Sequence, residues 1–261
     1  MDKYDRETAA RIDRAYQTPD IVNQRLRTLA ALGLRQHERV LDAGCGSGLL
    51  LEQLALAVGP GGRAAGIDSS TDMLALAESR CNGLEQVELQ QGSVAELPFA
   101  DAEFDALSCC QVLLYVDELE QALAGYCRVL RPGGRLAIIE TDWGGAVMNS
   151  PDVALTHRIF ANWSESIANP YLARRLIPRL RDAGFTGIRV EAIPIVNASY
   201  SENTFSADML EGFARSARHH GVMDAAQSDT WLADMQALIE RDEYFFSVNR
   251  FLFTAVKPGN P

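Results

Sequence analysis

Asp42-Ala43-Gly44-Cys45-Gly46-Ser47-Gly48 places a carboxylate directly before three glycines at every second position. The acid can hold a cation, and the glycines form a loop that a ligand can approach closely. Val40 and Leu41 precede this stretch and Leu49 to Ala55 follow it, so it reads as strand, tight turn, helix. A ligand there sits at the helix N-terminus, beyond the carboxyl end of the strand. A dinucleotide fingerprint needs Gly-x-Gly-x-x-Gly, and the third glycine position is Leu49. A second acid, Asp68, ends the next apolar run, where a carboxylate can accept both hydroxyls of a ribose. Two further residues could do proton chemistry. His219 is either a general base or a surface histidine. Asp142 either contacts a polar substrate atom or caps the turn behind it. No His/Cys/carboxylate set has the spacing of metal ligands, so no metal is expected.

The elements that must position these groups follow from periodicity and turn residues. Residues 5–34 read as two helices around Thr18-Pro19-Asp20, closed by Gly33. Strands are expected at Val40–Asp42, Arg63–Asp68, Val87–Gly92, Phe104–Cys110, Arg135–Glu140, Thr186–Ala198 and Phe245–Val256. The helix after Asp68 is capped by Ser70 or Thr71, and Asp117 caps the one before Arg131-Pro132-Gly133-Gly134, a stop signal. Residues 150–183, 204–220 and 226–242 read as helices, the last capped by Ser228 or Asp229.

Four segments carry a family resemblance. Val40 to Gly48 resembles motif I of the class I S-adenosylmethionine (SAM)-dependent methyltransferases. Asp68 matches that family's ribose-binding acid. Gly92-Ser93-Val94-Ala95-Glu96-Leu97-Pro98-Phe99 through Phe104-Asp105 resembles its G-D-A-x-x-L-P-F segment, with Ser93 in place of an aspartate that often meets adenine. Leu130-Arg131-Pro132-Gly133-Gly134-Arg135-Leu136 is the fourth. Within the family the chain is most similar to the broad group around the ubiquinone and menaquinone methyltransferases.

The resemblance implies an α/β, Rossmann-like seven-stranded class I methyltransferase sheet with helices on both faces and a helical cap built from insertions. It implies one methyltransferase domain over 1–261: N-terminal helices to residue 34, a SAM-binding core over 35–140, cap insertions at 141–178 and 199–242, and the last strand and tail from 243. The implied cofactor is SAM, leaving as S-adenosylhomocysteine, with no metal. Its expected contacts are Asp42, Gly44, Cys45, Gly46, Gly48, Asp68, Ser69, Met73, Ser93, Val94 and Gln111, with Tyr16 and Arg25 either flapping over it or packing on the sheet. Met73 either packs on adenine or fills the core. Trp143, Trp163 and Tyr200 are expected in the substrate pocket, where each cap aromatic either lines it or packs the insertion down.

Bulk properties narrow the partners. The chain has 261 residues, 47% hydrophobic, with a formal net charge of -11. A nucleic-acid binder needs a basic surface, so nucleic acid is not expected. No apolar stretch approaches the ~20 residues of a membrane span, and the charged start lacks a signal-peptide core. Five cysteines without a C-x-x-C pair read as reduced, mostly buried thiols of a cytoplasmic protein.

The implied reaction is in-line transfer of a methyl group to an O or N atom of a small, aromatic or heteroaromatic metabolite. The alternatives are C-methylation of a quinone- or polyketide-like substrate, or a non-catalytic SAM-fold binding protein. Leu49 and the lack of a Tyr-x-x-x-Lys pair argue against a nicotinamide oxidoreductase. Cys109-Cys110-Gln111-Val112 stands where methyltransferases of nucleic-acid amino groups carry an Asn/Asp-Pro-Pro-Tyr-like tetrapeptide. The chain is expected to be a monomer or homodimer, its long last strand lying inside the sheet or at a dimer edge.

Overall fold

The computed structural model describes residues 6–259; the charged first five residues and the end of the tail, 260–261, lie outside the described residues. The chain runs α1 (Arg6–Ala15), α2 (Pro19–Leu32), β1 (Arg39–Ala43), α3 (Leu49–Val58), β2 (Arg63–Asp68), α4 (Thr71–Arg80), β3 (Val87–Gln91) and β4 (Phe104–Cys110). It continues α5 (Leu119–Val129), β5 (Leu130–Thr141), β6 (Val147–Met148), α6 (Val153–Glu165), α7 (Leu172–Asp182), β7 (Thr186–Asn197), α8 (Phe205–His219), α9 (Ala225–Glu240) and β8 (Phe246–Val256).

The sheet order is β3-β2-β1-β4-β5-β8, and β8 also pairs antiparallel with β7. The first five of these strands are mutually parallel. The two-residue β6 pairs with Phe246 and Ser247 of β8 and is an addition to the seven expected strands. β8 therefore lies inside the sheet, flanked by β5 and β7, rather than at an edge. The order places β1 and β4 side by side at the centre, where the crossover direction reverses and the carboxyl ends of the strands leave a crevice.

Two apolar layers cover the sheet. On one face Leu41, Leu107, Leu136, Ile138 and Phe253 pack against Leu119–Val129 of α5 and Leu172–Leu180 of α7. On the other, Val40, Ala106, Ile139 and Leu252 meet Leu32 of α2 and Leu50–Val58 of α3. Near-continuous burial of the central strands is what a sheet covered on both faces requires. A third cluster joins α6, α8 and α9 to the start of β8 through Phe160, Phe213, Trp231, Met235, Phe246 and Val248. Trp231 belongs to this cap core, its indole N–H donating to Thr156 Oγ1 at 3.0 Å.

Three local details depart from the sequence reading. α5 ends at Val129, just before the stop signal Arg131-Pro132-Gly133-Gly134, but β5 begins at Leu130, opposite Phe104, rather than at Arg135, so these four residues form an irregularity within the strand. Gly133, at φ +78°, donates its N–H to Lys257 O there. α5 starts at Leu119 and leaves Asp117 exposed. α9 starts at Ala225, where Asp224 and Gln227 form a reciprocal capping box, because this pair satisfies two backbone N–H groups at once.

Candidate active site

A cavity of about 890 Å³ opens beyond the carboxyl ends of β1, β2 and β4. Its floor is the glycine loop. The N–H groups of Gly44 and Cys45 both donate to Ile67 O, at 2.8 and 3.0 Å, and that of Gly48 to Cys45 O at 3.0 Å. The N–H of Gly46 donates to Asp68 Oδ2 at 2.8 Å. These four amides are spent inside the protein and are not offered to a pyrophosphate. The three glycines have different duties. A Cβ on Gly44 would meet Val112 Cγ2 at 2.3 Å, and one on Gly48 would meet Ala77 of α4 at 3.0 Å. Gly46 has nothing within 4 Å of that position and lines the cavity.

Asp42 is buried at the end of β1 and accepts from Ser108 Oγ at 2.7 Å. Burial pushes its pKa up to about 7, Ser108 opposes the rise and the charge of Asp68 adds to it. Asp68, at the tip of β2, accepts Ser70 N–H on Oδ1 at 2.9 Å as well as Gly46 N–H on Oδ2. Each carboxylate oxygen keeps a second acceptor site for a ligand hydroxyl. Cys45, Ser69, Met73, Ser93 and Val94 also border the cavity. Ser70 is the N-cap of α4, accepting from Met73 N at 3.3 Å, which sets Met73 in the first turn against the cavity.

Gln111 lines the cavity just beyond β4 with φ +61°, a left-handed conformation uncommon outside glycine. Its amide is clamped: Nε2 donates to Ile139 O and Oε1 accepts from Thr141 Oγ1. Beside it, Glu140 accepts the N–H groups of Val112 and Leu113, at 3.3 and 2.9 Å. Burial drives the Glu140 pKa up to about 8 against those bonds.

α1 and α2 cover the cavity. Thr8, Arg11, Ile12, Tyr16, Gln24 and Arg25 line it from above. Asp13 fastens this cover by accepting from Ser47 Oγ of the glycine loop and pairing with Arg80 of α4 at 2.9 Å. Arg25 donates to Tyr16 O, and desolvation followed by the charge of Arg80 lowers its pKa.

On the cap side, Trp143, Trp163 and Phe205 form an aromatic wall. Trp143 meets Trp163 edge-on at 5.7 Å and stacks on Phe205 at 6.1 Å. His219 lies exposed at the end of α8, on the lining. Three of the sequence-derived residues stand off the lining. Gly48 faces α4. Asp142 is turned into a two-pronged ion pair with Arg174 Nε, at 2.9 and 3.0 Å, because α7 passes beside the end of β5. Tyr200 packs edge-on against Tyr244 at 5.5 Å.

The sequence reading missed Asp13, Glu140 and Arg250. Arg250 is 1% exposed, borders the cavity, and lies face-on to Phe205. A lone arginine in the apolar run Phe246–Phe253 was the available signal. Among the described residues no group of three His, Cys, Asp or Glu side chains is placed to hold a metal ion.

Comparison with known proteins gives three kinds of likeness. Residues 41–138 match the family described as "Methyltransferase domain". An uncharacterised 37.1 kDa protein of a transposon of Streptomyces fradiae is 37% identical over 213 residues, 80% of this chain and 61% of that protein. A demethylmenaquinone methyltransferase of Staphylococcus aureus is 38% identical over 117 residues, 45% of this chain and 48% of that one. The chain thus spans about half to three fifths of the length of these curated relatives. Among solved structures, the [4+2]-cyclase SpnF superposes with a TM-score of 0.59 at 25% identity, covering 91% of this chain and 81% of that one.

Proposed function

We propose that this chain, whose residues 41–138 match the methyltransferase domain family, transfers the methyl group of SAM to an O or N atom of a small, aromatic or heteroaromatic metabolite. The observation that carries this reading is the pairing of a glycine loop, four of whose amides are internally spent, with two acids, Asp42 and Asp68, at its rim. That combination repels a pyrophosphate and suits a cation that bears a ribose.

The residues fit such a cofactor. Gly46 leaves an open face on which a methionyl chain would rest, Asp42 would supply negative charge near its ammonium, and Asp68 keeps acceptor sites that would take ribose hydroxyls. Met73 and Val94 present apolar surface for a purine, and Ser93 a hydroxyl. SAM supplies a methyl on a sulfonium that departs as a neutral thioether, so the protein's task is to hold the acceptor in line. Positioning of this kind is worth up to about 7–11 kcal/mol. Trp143, Trp163 and Phe205 would hold an aromatic acceptor against the clamped Gln111. His219 is the base candidate on the lining, whereas Asp142 would serve by anchoring α7 through Arg174. Residues 141–178 and 199–242 act as the cap of one 1–261 domain. Five thiols without a disulfide among the described residues fit the cytoplasm. No helix among the described residues is long and apolar enough to cross a membrane.

A C-methylating reading draws on the relative named for demethylmenaquinone. The fold shared with a [4+2]-cyclase leaves the chemistry to the site. The deciding experiment is calorimetric titration with S-adenosylhomocysteine, NAD as control, followed by assay of SAM turnover with phenolic and quinol acceptors. Micromolar binding of S-adenosylhomocysteine alone is expected. Absence of that binding would overturn the proposal.

A further inference from the structure

We infer that the methyl acceptor is an aromatic anion and that Arg250 receives its charged group. The inference rests on the methyl-transfer reading of the cavity.

The direct contacts of Arg250 are a neutral amide and two aromatic rings. Its guanidinium carbon lies 4.7 Å from the Phe205 ring centre and 5.6 Å from that of Tyr16. Nη1 donates to Gln24 Oε1, and Nε has no partner. None of the ion pairs among the described residues includes it. Glu140 is near enough to feel its charge but makes no ion pair with it: Oε1 accepts the N–H groups of Val112 and Leu113, and Oε2 has no partner. A buried guanidinium without a counter-ion is costly, and the cost is recovered when an anion reaches it. Since Arg250 borders the cavity, a ligand can supply that anion.

Its place in the sheet assigns the anion to the acceptor. Arg250 is opposite Thr141 at the end of β5, and β8 is three strands from β1, which carries the glycine loop. Strand spacing puts about 14 Å between them. The surroundings also prescribe a shape. The guanidinium stacks on Phe205, and Phe205 stacks on Trp143 with an interplanar angle of 28°. A flat ring along this wall, with a carboxylate at its Arg250 end, satisfies the aromatic faces and the cation together.

Benzoate and its neutral isostere benzamide are suitable probes. Each is titrated into the S-adenosylhomocysteine-saturated chain, with binding read from tryptophan fluorescence. The wild type should bind benzoate at least about tenfold more tightly than benzamide. Arg250→Gln should erase the difference while holding S-adenosylhomocysteine affinity within about twofold, and Arg250→Lys should keep part of it. Equal binding of the two probes, or binding of neither, overturns the inference without needing a variant. So does a benzoate preference that survives Arg250→Gln. If benzoate displaces S-adenosylhomocysteine, or Arg250→Gln weakens that ligand about tenfold, Arg250 belongs to the cofactor carboxylate and the inference fails. Failure of the wild type to bind S-adenosylhomocysteine sinks the methyl-transfer reading instead. The probes are then compared on the chain alone, with the same outcomes.

Discussion

Asp42 is a buried carboxyl, its pKa pushed up to about 7 chiefly by desolvation. A cationic cofactor beside it favours the ionised form, so the pKa must be lower in the complex than in the free protein. The sign follows from linkage: binding releases a proton below pH 7, and affinity falls as pH drops through 7, by up to about tenfold per unit. Calorimetry of SAM binding at pH 6.0 to 8.0, in buffers of different ionisation heat, reads both quantities, and a flat profile would remove Asp42 as the linked group. The neighbouring glycines separate binding from folding. Gly46→Ala adds a methyl to open cavity at φ +51°, so it should cost about 1–2 kcal/mol of stability and most of the S-adenosylhomocysteine affinity. Gly48→Ala drives a methyl toward backbone and side-chain atoms of Ala77 at φ +80° and should cost more stability, at least about 2 kcal/mol. Thermal melts and titrations of the two variants, side by side, test the division. This part of the site was legible because loop, acid and spacing are consecutive in the chain. Arg250 was not, because Gln24, Tyr16 and Phe205 are distant in sequence and only the folded chain brings them to it.

Helices α1 and α2 form the cover, and one carboxylate couples it to the floor. Asp13 joins Ser47 of the glycine loop and Arg80 of α4, with both members of the ion pair mostly buried. Removing a partner from such a group leaves donors unsatisfied, at about 1–3 kcal/mol. Asp13→Ala should therefore loosen the cover rather than the sheet: faster release of S-adenosylhomocysteine, easier proteolysis between α1 and α2, and little change in the main unfolding transition. Unaltered release in stopped-flow would show that α1 does not gate the cavity. Periodicity located these helices because an amphipathic stripe is a property of the helix itself. It misplaced the starts of α5 and α9, where several acids and serines compete to cap and tertiary packing chooses among them. Asp142 and Tyr200 were aimed at the cavity by strand and insertion position. Arg174 and Tyr244, from other elements, turn them elsewhere.

At the scale of the molecule, the site sets the pH response of stability. Asp42 and Glu140 have pKa values raised to about 7 and 8, against about 4 in an unfolded chain. The folded state therefore holds these protons more tightly. The stability they contribute is fully present below the unfolded value and is lost progressively as pH rises from about 4 to the folded values of about 7 and 8, at up to about 1.4 kcal/mol per unit for each group. Glu38 and Glu103 act the other way. Burial opposes their ionisation, but Arg135 holds the first below its ordinary value and Arg63 the second, so their contribution is lost as pH falls through the acid range. These opposed slopes place the stability maximum of the ligand-free chain on the acid side of neutrality. A bound cation beside Asp42 ionises it at lower cost, so the complex should lose less stability than the free chain between pH 5 and pH 8. Melting curves over that range, with and without saturating SAM, should diverge steadily as pH rises. Parallel curves would mean that the cofactor's charge is not felt at Asp42. A melting temperature that climbs with pH in the free chain would mean that neither buried carboxyl holds its proton in the fold.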